Sequence, residues 1–188
     1  TGAARHLAFA QAVTSECLTV ARIKAAVTGR KARLLVLADP ARPDRYLRHL
    51  ILQLARQPGG TPAEWDSIAT YTFPSDIYVV PNSLSGLVEN ETDWRRPSDA
   101  TQLLTSDLFA NQLVTAAVGD DPTARQFTGI AFTPNGTLAP LGNGTPPKGY
   151  LVVAGGNRRP PGSFAEGESP VVLRNPDRVR GIVLSAYG

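Results

Sequence analysis

The side chains of this chain best suited to metal or nucleophilic chemistry are two histidines and one cysteine. A structural zinc site takes four ligands, and a catalytic thiolate needs a neighbouring base. His6 stands beside Arg5 and His49 beside Arg48, without a third ligand at a metal-binding spacing. Cys17, the single cysteine, excludes an internal disulfide and a cysteine-based metal site. We therefore expect no metal, no cofactor and no catalytic residue, and a small buried apolar role for Cys17.

Carboxylates are the next groups that could do chemistry. Asp120 and Asp121, with Asp93 and Asp99 nearby in sequence, offer the oxygen ligands that calcium prefers. Their spacing matches no EF-hand loop, so we expect a solvated loop. The Ser-Leu-Ser-Gly run at residues 83–86 lacks the strand and helix that flank a nucleophile elbow.

Two glycine-rich segments, residues 142–144 and 155–156, could in principle cradle a phosphate. Neither lies between a predicted strand and a predicted helix, and neither carries the Lys-Ser/Thr pair of a phosphate loop. We interpret both segments as hairpin turns.

Arginines are the charges most suggestive of a partner. One set lies in the C-terminal third and a second along a predicted hairpin: Arg158, Arg159, Arg174, Arg178 and Arg180, and Arg42, Arg45, Arg48 and Arg56. If both sets face the same way, they form a positive stripe that could neutralise DNA phosphates. The alternative is a solvated surface or a set of subunit contacts. The aromatic residues that single-strand binding uses are few here.

The two tryptophans are expected to differ. Trp65 begins a predicted strand and should belong to the core. Trp94 lies in a polar segment next to Arg95 and Arg96. It could be an exposed contact anchor, or it could fold back and close that segment over a sheet; both readings stay open.

Length and composition indicate one domain rich in turns. The chain has 188 residues, 42% of them hydrophobic, with 17 glycines and 16 prolines. Its net charge of +3 makes no strong case for nucleic acid. The sequence contains no methionine and starts within a helical pattern. We expect it to be a fragment whose preceding segment could carry a membrane anchor.

Residues 3–28 predict one long amphipathic helix, about 40 Å in length. Apolar and small residues recur along one face and are expected to pack on a sheet: Leu7, Ala10, Val13, Cys17, Val20 and Ala21. Gly29 stands where a left-handed residue ends a helix.

After the helix the pattern changes to short apolar runs separated by Pro, Gly, Asn and Asp. Strands are predicted at residues 32–38, 46–55, 65–73, 77–80, 127–133, 150–154, 170–174 and 179–186, the last two forming a hairpin. Residues 82–126 are interpreted as an insertion that contains a short helix at 100–118. The domain then divides into the helix (1–29), sheet (30–81 and 127–188) and insertion. The predicted fold class is α+β, with the long N-terminal amphipathic helix packed on antiparallel sheet.

This order resembles the minor pseudopilins of type II secretion and the related minor prepilins of type IV pili, particularly the H-type subunit. Four features carry the resemblance: the starting helix with its basic end (Lys24, Gly29, Arg30, Lys31), the strand pair at 33–54, the strand–turn–strand unit at 71–79, and the strand and turn at 130–137. Residues 82–126 are not covered by it. The resemblance implies a pilin-like fold.

The resemblance also implies a function without catalysis or cofactor. In that family the apolar first half of the helix, absent here, anchors the subunit in the bacterial inner membrane and then packs into a filament. The head lies in the periplasm and contacts other pseudopilin or pilin subunits. We therefore expect a structural subunit. Two alternatives stay open: a pilin-like module that binds DNA through its arginines, and a small hydrolase that uses Asp or Cys.

Overall fold

The computed structural model describes residues 2–58, 64–109, 113–142, 149–174 and 176–184. Those residues form one α-helix, α1 (Gly2–Thr28), a one-turn 3-10 helix (Glu91–Asp93) and twelve strands. The strands are β1 (Ala32–Leu37), β2 (His49–Ala55), β3 (Trp65–Thr72), β4 (Ile77–Val80), β5 (Arg95–Arg96), β6 (Asp99–Leu103), β7 (Val114–Val118), β8 (Asp121–Phe132), β9 (Leu138–Ala139), β10 (Tyr150–Arg158), β11 (Val171–Leu173) and β12 (Val179–Val183).

The predicted fold class, a pilin-like helix on antiparallel sheet, is wrong. Strand residues far outnumber helical ones in the described part of the chain, which is mostly β-sheet with one N-terminal helix and several antiparallel sheets. The coarser description α+β remains. The long-range strand pairing that builds separate sheets was not visible in the order of the elements.

The first sheet has β1 at its centre. The strand order is β3-β2-β1-β8-β7, with β9 pairing the end of β8, and every pair is antiparallel. Because successive strand residues face opposite sides, Leu34 and Val36 turn toward the main core, while Leu35 and Leu37 join a smaller apolar cluster on the other face. The sheet is therefore covered on both faces.

The second sheet is built around β10, which pairs antiparallel with β4, β11 and β12. The predicted hairpin between the last two strands is wrong, because both pair with β10 instead of with each other. Residues 155–156 lie inside β10 and not in a turn. Of the other predicted glycine turn, residues 143 and 144 fall outside the described residues.

Helix α1 packs across both sheets. Gln11 donates to the carbonyl of Gly181 in β12 at 2.9 Å, and Arg22 donates to the carbonyl of Gly136 beyond β8, also at 2.9 Å. Leu18 is fully buried on this face. Gly29, at φ +66°, ends the helix as expected. No helix among the described residues combines the length and apolar character that a membrane crossing needs.

The region interpreted as an insertion contributes to both the core and the first sheet. The short helix predicted at 100–118 is wrong, since the described part of that range contains β6 and β7. Strand β7 and the start of β8 extend the first sheet. Tertiary contacts decide the conformation: Ser106 Oγ accepts from the amide of Val152 at 2.8 Å, and the amide of Leu108 donates to the carbonyl of Tyr150 at 2.9 Å.

Candidate functional site

The single thiol is buried in the helix–sheet interface. Cys17 lies on α1 with its side chain in the main core. Burial raises the pKa of Cys17 to about 12, and the charge of Glu16 acts in the same direction. At neutral pH the group is therefore a protonated thiol, without the thiolate that nucleophilic catalysis needs.

Each histidine has a partner of its own. His49 is buried in β2 and its Nδ1 lies 2.8 Å from the Thr72 hydroxyl. Burial lowers the pKa of His49, and the positive charge of Arg45 adds to this effect. His6, on the exposed side of α1, lies 2.8 Å from a carboxylate oxygen of Asp76. In the described part of the chain, no group of three or more His, Cys, Asp or Glu side chains is placed to hold a metal ion.

The paired aspartates are engaged by arginines. Asp121 accepts hydrogen bonds from Arg42 at 2.6 Å and from Arg125 at 2.9 Å. Both terminal nitrogens of Arg45 donate to the carboxylate of Asp120, at 2.9 and 3.0 Å. The Arg45 hydrogen bonds lower the pKa of Asp120 to about 2. The adjoining cavity, about 10 Å³, has room for about one water. These carboxylates thus tie the turn before β2 to the β7–β8 turn.

Most arginines of the second set, which lie along the predicted hairpin at 42–56, are engaged within the protein and do not extend a positive stripe. Arg42 and Arg45 are neutralised as described, and Arg56 pairs with Glu64 and Asp66. Arg48 donates to main-chain carbonyls, including that of Asp44. The predicted stripe that joins both sets is therefore reduced to its C-terminal half.

The C-terminal arginines border one long strand. Arg158 pairs with Val171 and Ala154 with Val179, so five residues of β10 correspond to nine residues of the C-terminal segment. The side chains of Arg158, Arg174, Arg178 and Arg180 are exposed and that of Arg159 is partly buried. Arg159 donates to the carbonyl of Gly86 at 3.1 Å. Among the described residues, none of these five arginines forms an ion pair with a carboxylate.

The structure decides between the two alternatives for Trp94 and contradicts the expectation for Trp65. Trp94 is buried in the main core, so it folds back and offers no exposed anchor. Trp65 is only partly buried at the start of β3, and the Arg33 guanidinium stacks over its ring at 4.1 Å. The expectation of a core Trp65 is therefore wrong, since an arginine covers the ring instead of apolar side chains.

The outer face of α1 carries large apolar side chains that the sequence reading missed. Of the predicted packing residues, Leu7, Ala10, Val13, Cys17 and Ala21 are buried, whereas Val20 is partly buried. On the far side, Phe9, Ile23 and Val27 are 57%, 54% and 79% exposed. At roughly 100° per residue they lie within about 40° of one another around the helix axis. We call these three residues the outer stripe.

No protein-family model, curated protein or solved structure was found to match this chain. Its function is therefore inferred from its own surfaces.

The outer stripe could have been found in the sequence. Phe9, Ile23 and Val27 are 14 and 4 residues apart, close to whole numbers of helical turns, although the wide gap between Phe9 and Ile23 makes this pattern less evident than that of the packing residues. Helix α1 is consequently less amphipathic than predicted, because apolar residues occupy both its sheet-facing and its outer sides.

Proposed function

We propose that this chain is a non-enzymatic structural subunit of an assembly and that the outer stripe of α1 contacts other subunits. The observation that carries the proposal is the concentration of apolar side chains on a face that the sheets leave uncovered. Within the described ranges six large hydrophobic residues are exposed, and three of them form the outer stripe. Isolated exposed hydrophobics are common, but aligned ones on one helix mark contact surfaces.

The assembly that the sequence resemblance suggests is a type II secretion pseudopilus or a type IV pilus. In either case the contacts would be helix against helix, with Phe9, Ile23 and Val27 as the apolar side chains that interlock. Glu16 lies in the same angular range of the helix and is exposed. A partner helix should therefore place a basic or polar group opposite Glu16.

The engagement of the reactive groups is consistent with this proposal. The Cys17 thiol is protonated and buried, and the paired aspartates bind arginines. The thiol packs in the core and the aspartates hold arginines. A structural subunit therefore accounts for all three groups.

Two triple variants test the proposal. Phe9→Ser, Ile23→Ser and Val27→Ser together remove the outer stripe, while Ile68→Ser, Leu113→Ser and Val183→Ser remove the other exposed hydrophobics as a matched control. Sedimentation velocity at high protein concentration should show association of the wild-type chain and of the control, and its loss in the stripe variant. Equal loss in both variants would contradict a specific helix contact.

A photo-crosslinking residue tests the same surface in the producing cell. At position 9 it should yield covalent products with other subunits of the assembly, whereas at the exposed strand position 68 it should not. Products at position 68 and none at position 9 would assign the contact to the sheet instead of α1.

DNA binding is the second candidate, favoured by the five C-terminal arginines, for which the described part of the chain supplies no carboxylate partner. Arg174 and Arg178 lie between β11 and β12, the two strands that pair with β10, and β10 ends at Arg158. Reversing Arg178 and Arg180 to Glu should abolish a salt-dependent shift of duplex DNA, whereas reversing Lys24 and Arg30 changes net charge equally and should matter less. The absence of any shift at low salt would end this candidate.

A further inference from the structure

A cavity of about 300 Å³ lies at one end of the first sheet, on the face opposite α1. Its walls include Lys31 just before β1, Arg33 near the start of β1, and Trp65 from β3. The remaining lining is largely small or apolar and comes from the end of β8, from β9 and from the residues that follow β9, including Ala131, Pro140 and Leu141. The cavity therefore combines two positive charges with an aromatic ring and apolar walls.

Arg33 is held rigidly at this cavity. Its Nε donates to Gln53 Oε1 at 2.7 Å, and the amide nitrogen of the buried Gln53 donates to Ser67 Oγ at 3.2 Å. The guanidinium also stacks on Trp65 at 4.1 Å. These contacts fix the plane of the group before any ligand arrives, which reduces the entropy lost on binding.

The two terminal nitrogens of Arg33 are available. Neither makes a hydrogen bond within the described residues, and neither is among the buried nitrogens that lack a partner. All 16 Asp and Glu side chains belong to the described residues, and none forms an ion pair with Arg33 or Lys31. Burial lowers the pKa of Arg33 to about 10, so a partly desolvated charge remains without a counter-ion.

Arg96 shows what a purely structural arginine looks like in this chain. It also stacks on an aromatic ring, that of Tyr150, at 4.4 Å. Its nitrogens, however, bind the carbonyls of Leu103 and Thr105 and the carboxylate of Asp107. The Arg33 guanidinium stacks in the same way, but its two terminal nitrogens face a cavity. The difference indicates a ligand rather than a packing role.

We propose that Arg33, Lys31 and Trp65 form a binding site for an oxyanion, a carboxylate or a phosphate, carried on a small apolar or planar body. The Arg33 fork matches two oxygens of either group, and Lys31 adds a second positive charge. The walls at Ala131, Pro140 and Leu141 accommodate the apolar body. This site is independent of the proposed contact through the outer stripe.

Nuclear magnetic resonance can report on this site through the indole groups. The chain has two tryptophans, and a Trp65→Phe variant assigns their two indole N–H signals. Benzoate and inorganic phosphate are titrated separately, with benzamide as the neutral counterpart of benzoate. We expect saturable shifts of the Trp65 signal with the carboxylate, the phosphate or both, and none with benzamide. Which anion binds more tightly identifies the source of the oxyanion.

Variants assign the binding to Arg33. Arg33→Gln should weaken it by roughly tenfold or more, since a charge-assisted hydrogen bond contributes about 1.5–3 kcal/mol. Arg33→Lys should weaken it less, because the charge remains without the fork. Arg56→Gln, at an ion-paired arginine of the neighbouring hairpin, should leave it unchanged.

Three results would overturn the proposal: no saturable shift with either anion at low ionic strength, equal shifts with benzoate and benzamide, or unchanged affinity in a folded Arg33→Gln protein. The benzoate–benzamide comparison uses the wild-type chain alone. It therefore decides the question even if the Arg33 variants fail to fold.

Discussion

Replacing Gly129 with alanine should break the centre of the first sheet. Gly129 lies in β8 directly opposite Leu35 of β1, at φ +155°. A Cβ atom at this position would lie 1.9 Å from the carbonyl oxygen of Leu34, and contacts under 3.0 Å are essentially never observed for real Cβ atoms. The two strands would therefore have to separate by about 1 Å, a large fraction of the roughly 4.8 Å between paired strands.

The expected free-energy loss follows from the hydrogen bonds that such a separation breaks. About two bonds of the β1–β8 ladder lie next to Gly129, and each leaves a buried polar group unpaired at a cost of about 1–3 kcal/mol. We expect Gly129→Ala to reduce the free energy of unfolding by about 4 kcal/mol. For a chain of this size, that lowers Tm by roughly 8–16 °C.

Urea and thermal unfolding, followed by circular dichroism, measure this loss. Gly155→Ala is the matched control, because Gly155 also lies in a strand, β10, and a Cβ there would meet nothing closer than Asp76 at 3.9 Å. The control should differ from the wild type by less than about 1 kcal/mol. A loss below about 1 kcal/mol for Gly129→Ala would refute the close approach of β1 and β8.

Further substitutions test the helix, the thiol and the independence of the two surfaces. Leu18→Ala should reduce the free energy of unfolding by about 2–5 kcal/mol in urea titrations, whereas Phe9→Ala on the exposed face should change it little. The pKa of Cys17 lies at about 12 in the folded protein, above its ordinary 9.0, because burial disfavours the thiolate. The contribution of the neutral thiol to the free energy of unfolding is complete below about pH 9 and declines as the pH rises toward 12. Between about pH 8 and pH 10.5, the wild type should therefore lose more free energy of unfolding than Cys17→Ala. Arg33→Gln should leave association through the outer stripe unchanged in sedimentation velocity.

Local features of the fold were readable from the sequence because their causes are local. The helix followed from apolar spacing, and its end followed from Gly29, which takes the left-handed conformation that glycine favours. The first strands followed from short apolar runs bounded by proline and aspartate. Residues 77–80, predicted as a strand, form β4 with the same bounds.

Strand partners were not readable, because they depend on contacts between distant segments. Strand β4 pairs with β10, more than 70 residues further on, and nothing in either run specifies the other. The same limit explains the arginine sets. Arg45 was visible as a charge, but Asp120, which neutralises it, lies 75 residues away. Because Arg45 pairs with Asp120, part of the predicted positive surface is neutral and holds two distant turns together.

The alternation of side chains along β1 explains why one chain can offer two separate contact surfaces. Leu34 faces the core beneath α1, and its neighbours Arg33 and Leu35 face the opposite side of the sheet. Leu35 is covered by the small apolar cluster with Phe127, but Arg33 lies beyond that cover and lines an open cavity. Because the outer stripe lies on the far side of α1, helix-mediated assembly would leave the Arg33 cavity accessible to a ligand. A ligand in that cavity could then change the association of subunits only by distorting the sheet between the two surfaces. The buried central strand of that sheet resists distortion, so we expect the ligand to have little effect on association.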